Sequence, residues 1–123
     1  MQHHGALAYQ QTAKATESPR EREAALLIKA AARLQAIRDT WPTDFDQLPH
    51  ALTFNRKLWT IFMSSANGAD NPLPQQTRQN IVNLGLFMLN QTREMMIQPA
   101  PQMLDGMINI NRQIAAGLRS MPA

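Results

Sequence analysis

The 123-residue chain has no cysteine, only 5 glycines and aromatic side chains at 6% of its positions. Without cysteine there is no disulfide staple, no thiolate nucleophile and no Cys-based zinc centre, a usage compatible with a reducing compartment. The glycines, at 5, 68, 85, 106 and 117, are too scattered to build a phosphate-cradling loop. The longest useful apolar stretch, Leu84 to Leu89, falls far short of the roughly 20 residues that a membrane span needs. The opening MQHHGALAYQQT lacks the basic start and apolar block of a secretory signal. A cytoplasmic protein without membrane insertion is the resulting expectation. Excess charge is scarce too: 12 Lys and Arg face 9 Asp and Glu, and the net +3 is a basic lean rather than a polyelectrolyte. What is plentiful is hydrophobic residue, 44% of the chain, enough for one domain, with 8 methionines lending its core flexible side chains.

Proline and cap residues divide the chain into helical blocks. Residues 1–16 are polar and weakly patterned, an N-terminal arm able to form a short helix. Ser18-Pro19-Arg20-Glu21 then combines an N-cap hydroxyl, a proline at the first helical position and a capping-box glutamate. Ala24, Leu27, Ala30, Ala31, Leu34 and Ile37 share one side at helical spacing, so this helix should reach about Asp39 before Trp41-Pro42 ends it. Asp44 to Asp46 can cap a helix through about Ala66, with Leu48, Ala51, Leu52, Leu58, Trp59, Phe62 and Met63 on a broad apolar face and Asn67-Gly68 as a left-handed stop. Asn71-Pro72-Leu73-Pro74 hands over to a helix from roughly Gln75 to Ile97, whose inward set is Ile81, Leu84, Met88 and Met95. After Pro99-Ala100-Pro101 a last helix, about Gln102 to Leu118, turns Leu104, Met107, Ile108, Ile114, Ala115 and Leu118 inward. No segment alternates long enough for a strand. The expected fold is all-α, a small bundle of four main helices with a short helix at most in the arm. Residues 17–119 form its single domain and 120–123 a tail. Short, proline-stiffened connections should make consecutive helices neighbours.

Catalytic chemistry is hard to assemble from these residues. His3, His4 and His50 lack companions at ligand spacing, so no metal site is expected. Ser18 suits capping better than nucleophilic attack, and Ser64, Ser65 and Ser120 have no His and Asp in a recognisable order. Asp44 and Asp46 lie at a helix start, where carboxylates cap. No catalytic residue and no cofactor is assigned, and a non-enzymatic protein is expected. Arg22, Lys29 and Arg33 fall within about 40° of one another around their helix and form a basic stripe that could meet RNA phosphates. Glu17, Glu21 and Glu23 interleave with it, as on an ordinary solvated face.

Apolar surplus is the more informative signal. Leu86, Phe87 and Ile97 lie outside the inward arc of their helix, while Phe54 and Ile61, and likewise Met103 and Ile110, stand at the margins of theirs. Either these helices are packed on two sides, or part of this surface is a groove for another amphipathic helix. Met88, Met95, Met96, Met103 and Met107 could repack around different guests. A groove for a partner would use Phe54, Ile61, Leu86, Phe87, Met95, Met103 and Ile110. Asn55 and Asn111 interrupt apolar faces, so their amides need partners, at a helix end or on another chain, and can set register inside the bundle. Gly85 and Gly106, costly inside helices, suggest close helix approach.

Four ordered blocks carry a resemblance over almost the whole chain: TAKATESPREREAALLIKAAARLQAIRD, LTFNRKLWTIF, NPLPQQTRQNIVNLGLFML and INRQIAAGL. Together they resemble FlaF, a family of flagellin-synthesis regulators in alphaproteobacterial flagellar systems. MQHHGA and SMPA, at the two ends, match no pattern of that family. The resemblance implies a small, cytoplasmic, non-enzymatic helical protein acting with flagellin before export, as a secretion chaperone or an assistant to flagellin synthesis. It also implies a link to FlbT, a regulator acting on flagellin messenger RNA. Two routes follow: an apolar groove covering flagellin's amphipathic segments, or RNA contact, direct or through FlbT, by Arg22, Lys29 and Arg33.

Overall fold

The computed structural model describes residues 18–121, so the 1–16 arm lies outside the described residues. Four helices make up the described fold: α1 (Pro19–Asp39), α2 (Leu48–Ala66), α3 (Gln75–Ile97) and α4 (Gln102–Ser120). The Ser18 hydroxyl accepts the Glu21 N–H at 3.1 Å, so α1 starts with the capping bond its sequence predicts. α2 begins differently. Phe45–Gln47 forms a 3₁₀ turn, and α2 follows at Leu48 without a side-chain cap, while the Asp44 carboxylate accepts the Thr40 hydroxyl at 2.9 Å. Nor does α2 stop through a left-handed residue: no described residue has positive φ, and the Gly68 N–H donates to the Ser65 carbonyl at 3.0 Å in a right-handed turn. α4 runs through Ser120, two residues beyond Leu118 and one residue into the expected tail.

The pairing of helices departs from chain order. α1 and α4 form the most extensive contact, α2 and α3 the next, and the consecutive helices α3 and α4 touch little. Side-chain size gives the reason. α1 presents Ala24, Ala30 and Ala31 at no more than 1% exposure and α4 presents Ala115 at 0%, so the two axes can close together. Arg38 Nε meets Asp105 at 3.0 Å at one end of this pair, and Arg119 Nε meets Glu21 at 2.8 Å at the other, which marks the helices as antiparallel. Both ion pairs are exposed and add little energy. Between α2 and α3 a small residue acts likewise: a Cβ added at Gly85 would overlap Cγ and Sδ of Met63. Gly106 has no such role, since its nearest neighbour would be Phe87 Cζ at 3.8 Å, an ordinary contact.

At the centre the two asparagines find each other rather than a helix end or another chain. The Trp59 indole N–H donates to Asn111 Oδ1 at 2.7 Å, the Asn111 amide donates to Asn55 Oδ1 at 2.8 Å, and the Asn55 amide points at Met88 Sδ at 3.5 Å. All four side chains are fully buried. This relay ties α4 to α2 and α2 to α3. A slip of one residue along any of these helices would strand a buried amide, at about 1 to 3 kcal/mol for each group left unpaired. The asparagines therefore fix the register of a core whose other members, such as Leu27, Leu34, Leu52, Met95, Leu104 and Met107, are purely apolar.

Candidate functional site

At one end of the bundle the start of α1, the end of α2, the start of α3 and the end of α4 converge without sealing. An apolar trough of about 320 Å³ lies between them, with Leu58, Phe62, Leu73, Ile81, Ile114 and Leu118 among its lining residues. Leu26 and Ile61 stand on its α1 and α2 walls at 40% and 64% exposure. Arg22, Glu23, Ser65 and Asn71 supply its polar edge. The trough continues into a wider cavity of about 720 Å³ between Ser18–Glu23 and the loop from Gly68 to Leu73. Pro19, Glu23, Ser65, Asn71 and Leu73 line both.

The loop holds its place through Asn71. Its Oδ1 accepts the Leu73 N–H at 2.9 Å and its amide donates to the Ser65 carbonyl at 3.1 Å, a second donor beside the Gly68 N–H near the end of α2. Leu73 is thereby turned inward and buried. Glu23 is the one described group whose pKa clearly departs from its ordinary value: burial raises it, against the smaller opposing pull of Arg20 and then Arg22. The trough edge is thus dry enough to disfavour a charge.

The expected groove residues do not share one surface. Ile61 lines the trough. Met95 is 1% exposed and part of the core, which removes it from any surface. Its place in the inward arc of α3 decided its position, and the adaptability of methionine did not alter that. Phe54 is half-buried against the core and roofed by cations, with Arg33 Cζ 4.4 Å and Lys29 Nζ 5.7 Å from its ring centroid. Phe87 reaches over α4 toward Gly106, and Met103 and Ile110 are partly buried on the core. In the same seam the Gln91 amide donates to the Met103 carbonyl at 3.2 Å. At 100° per residue Leu86 falls near Ile97 on the far side of α3, and both are exposed. Neither lines the trough or the wider cavity. Leu26 was not singled out by periodicity because one exposed leucine beside buried Leu27 is unremarkable in a helix. Its signal is the unbroken run Ala24 to Ile28, wider than one packing face needs.

The basic stripe is divided in the same way. Arg22 edges the trough, whereas Lys29 and Arg33 lie over Phe54. Among the described residues no group of three His, Cys, Asp or Glu is placed to hold a metal ion, and no helix is long and apolar enough to cross a membrane. His3 and His4 are outside the described residues.

A family model described as flagellar protein FlaF matches residues 6–118. The chain belongs to the FlaF family. Neither curated proteins nor solved structures give a match to it. The FlaF match spans all of the elements that build the trough, from the start of α1 to Leu118 near the end of α4, and begins twelve residues ahead of Ser18.

Proposed function

We propose that this FlaF-family protein is a non-enzymatic, cytoplasmic flagellin-binding protein that receives an amphipathic flagellin segment in the trough, as a secretion chaperone or an assistant to flagellin synthesis. The observation that supports it is the pair Ile61 and Leu26, exposed on two walls of a concave apolar floor. Such an arrangement offers a guest helix anchors on both flanks, and covering the part of each side chain still exposed contributes about 1 to 2 kcal/mol apiece. A flagellin subunit awaiting assembly has amphipathic segments to shield, and the trough has the matching chemistry.

Purified protein mixed with intact flagellin, and with flagellin lacking its terminal segments, tests the reading. Binding to the intact subunit alone is expected, and equal binding to both defeats it. The rival, contact with flagellin messenger RNA directly or through FlbT by Arg22, Lys29 and Arg33, has in its favour only that all three remain exposed. It requires an affinity that falls steeply with salt and weakens when the three become Ser. A flat salt response removes it.

A further inference from the structure

We infer that the guest of the trough is an amphipathic helix with carboxylates along one flank, and that Arg22, Lys29, Arg33 and Lys57 are the groups that bind them. This assignment rests on the trough being a polypeptide site and adds the chemistry of its occupant. The trough is one end of a longer seam. α1 and α2 touch less extensively than the pairs α1–α4 and α2–α3, so a line stays open between them. It starts at Leu26 and Ile61, passes Phe54 and ends in a cavity of about 440 Å³ that Arg33, Ile37, Gln47 and His50 help to line. Ile28, Leu86 and Ile97 are exposed as well, but none of them lines the trough. The seam differs from them in joining an apolar floor to a row of cations.

Arg22 edges the trough, Lys29 and Arg33 lie over the Phe54 ring, and at 100° per residue Lys57 falls within about 60° of both Phe54 and Ile61 on α2. All four are exposed. Among the described residues the ion pairs are Arg38 with Asp105 and Arg119 with Glu21, so the nearby Glu21 carboxylate is already engaged and none of the four cations is paired. Of the four, only Arg22 acts on Glu23. Lys29 and Arg33 stand four apart on α1, a like-charged pair that repels, and both lean on one ring. An aromatic face attracts a cation without neutralising it. A carboxylate laid beside Phe54 answers both charges at once. Lys29 and Arg33 follow Arg22 by seven and eleven positions (29 − 22 and 33 − 22), about 10 Å and 16 Å along the helix at about 1.5 Å per residue. A guest helix lying along the seam matches them with carboxylates at i, i+7 and i+11, which share one flank within about 40°. Its apolar stripe then meets Leu26, Ile61 and Phe54.

Synthetic helical peptides test this against the full chain. They share one leucine stripe and carry Glu, Gln or Lys at the flank positions i, i+7 and i+11. At low salt the Glu peptide is expected to bind at least tenfold more tightly than the Gln peptide, with the Lys peptide weakest, and high salt should erase most of that advantage. Lys29→Glu with Arg33→Glu should reverse the order of the Glu and Lys peptides and leave the Gln peptide unchanged, which also reports that the variant is folded. Equal affinity for the Glu and Gln peptides overturns the proposal. So does an RNA oligonucleotide that binds more tightly than the Glu peptide and is lost in the same variant, because the cations then belong to RNA. Intact flagellin should displace the Glu peptide. Flagellin that fails to displace it, with the peptide order intact, removes the flagellin reading and leaves the acidic-flank chemistry standing. Flagellin bound as tightly by the Lys29→Glu and Arg33→Glu variant as by the natural protein overturns the proposal and leaves the flagellin reading standing.

Discussion

α2 holds two opposite anomalies within two turns. At Asn55 and Trp59 polar atoms sit in the driest part of the protein, and at Ile61 an aliphatic side chain stands in water. The first region is closed: each polar group has a partner on another helix, and any change there breaks a contact that already exists. The second is open: Ile61 and Leu26 both line an apolar floor that no described residue covers. The difference teaches where to look for function. A buried amide relay explains itself by the register it sets, whereas an exposed aliphatic pair on a concave floor is explained only by something that comes to cover it.

The largest expected effect lies in the closed region. Asn111→Ala strands the Trp59 N–H and the Asn55 carbonyl and opens a void, at a cost of about 3 to 5 kcal/mol in urea unfolding. A loss below about 1 kcal/mol would mean that the relay does not hold the register. Gly85→Ala should cost about 1 to 3 kcal/mol, since Met63 must move to admit a Cβ, and pairing it with Met63→Ala should recover part of that loss. In the open region Ile61→Ser should change stability by no more than about 0.5 kcal/mol, because a residue at 64% exposure has little packing to lose. A loss as large as that at Asn111 would place Ile61 in a closed core and dissolve the contrast. Gly106→Ala, whose Cβ would meet Phe87 at an ordinary contact distance, should stabilise by about 0.5 to 1 kcal/mol by helix propensity.

The smallest effect concerns the trough edge. Burial raises the Glu23 pKa, so the ionised carboxylate works against the native state and this penalty grows as pH rises through the folded-state value. Glu23→Gln should therefore melt slightly higher than the natural protein near neutral pH, and the gap should close as pH falls below the carboxylate range. A Glu23→Gln variant that melts lower than the natural protein near neutral pH would mean that Arg20 and Arg22 dominate instead.

Much of the fold was legible because its punctuation is chemical. Ser18-Pro19, Pro74-Gln75 and Pro101-Gln102 mark helix starts through missing N–H groups and cap preferences that act locally, and those boundaries appear where the residues place them. The exchange of partners, α1 with α4, was not legible. Periodicity shows that Ala24, Ala31 and Ala115 face inward but not which small faces will meet, since that depends on all four helices at once. For the same reason Asn55 and Asn111 announced a need for partners without naming them. The candidate site was legible in part. Ile61 was found by its place at the margin of an apolar arc, while Met95, which belongs to an inward arc, is core. Concavity decides which exposed residues form a trough, and concavity arises from where four helix ends and one loop come together.

The central claim is that the apolar surface of the trough, rather than the exposed apolar side chains on α3, serves a polypeptide guest. Flagellin affinity measured for Ile61→Ser with Leu26→Ser, beside Leu86→Ser with Ile97→Ser on the exposed side of α3, tests it most directly. A loss of tenfold or more for the trough pair, with the α3 pair binding as the natural protein does, is the predicted result. The reverse order, or equal loss from both pairs, would contradict it.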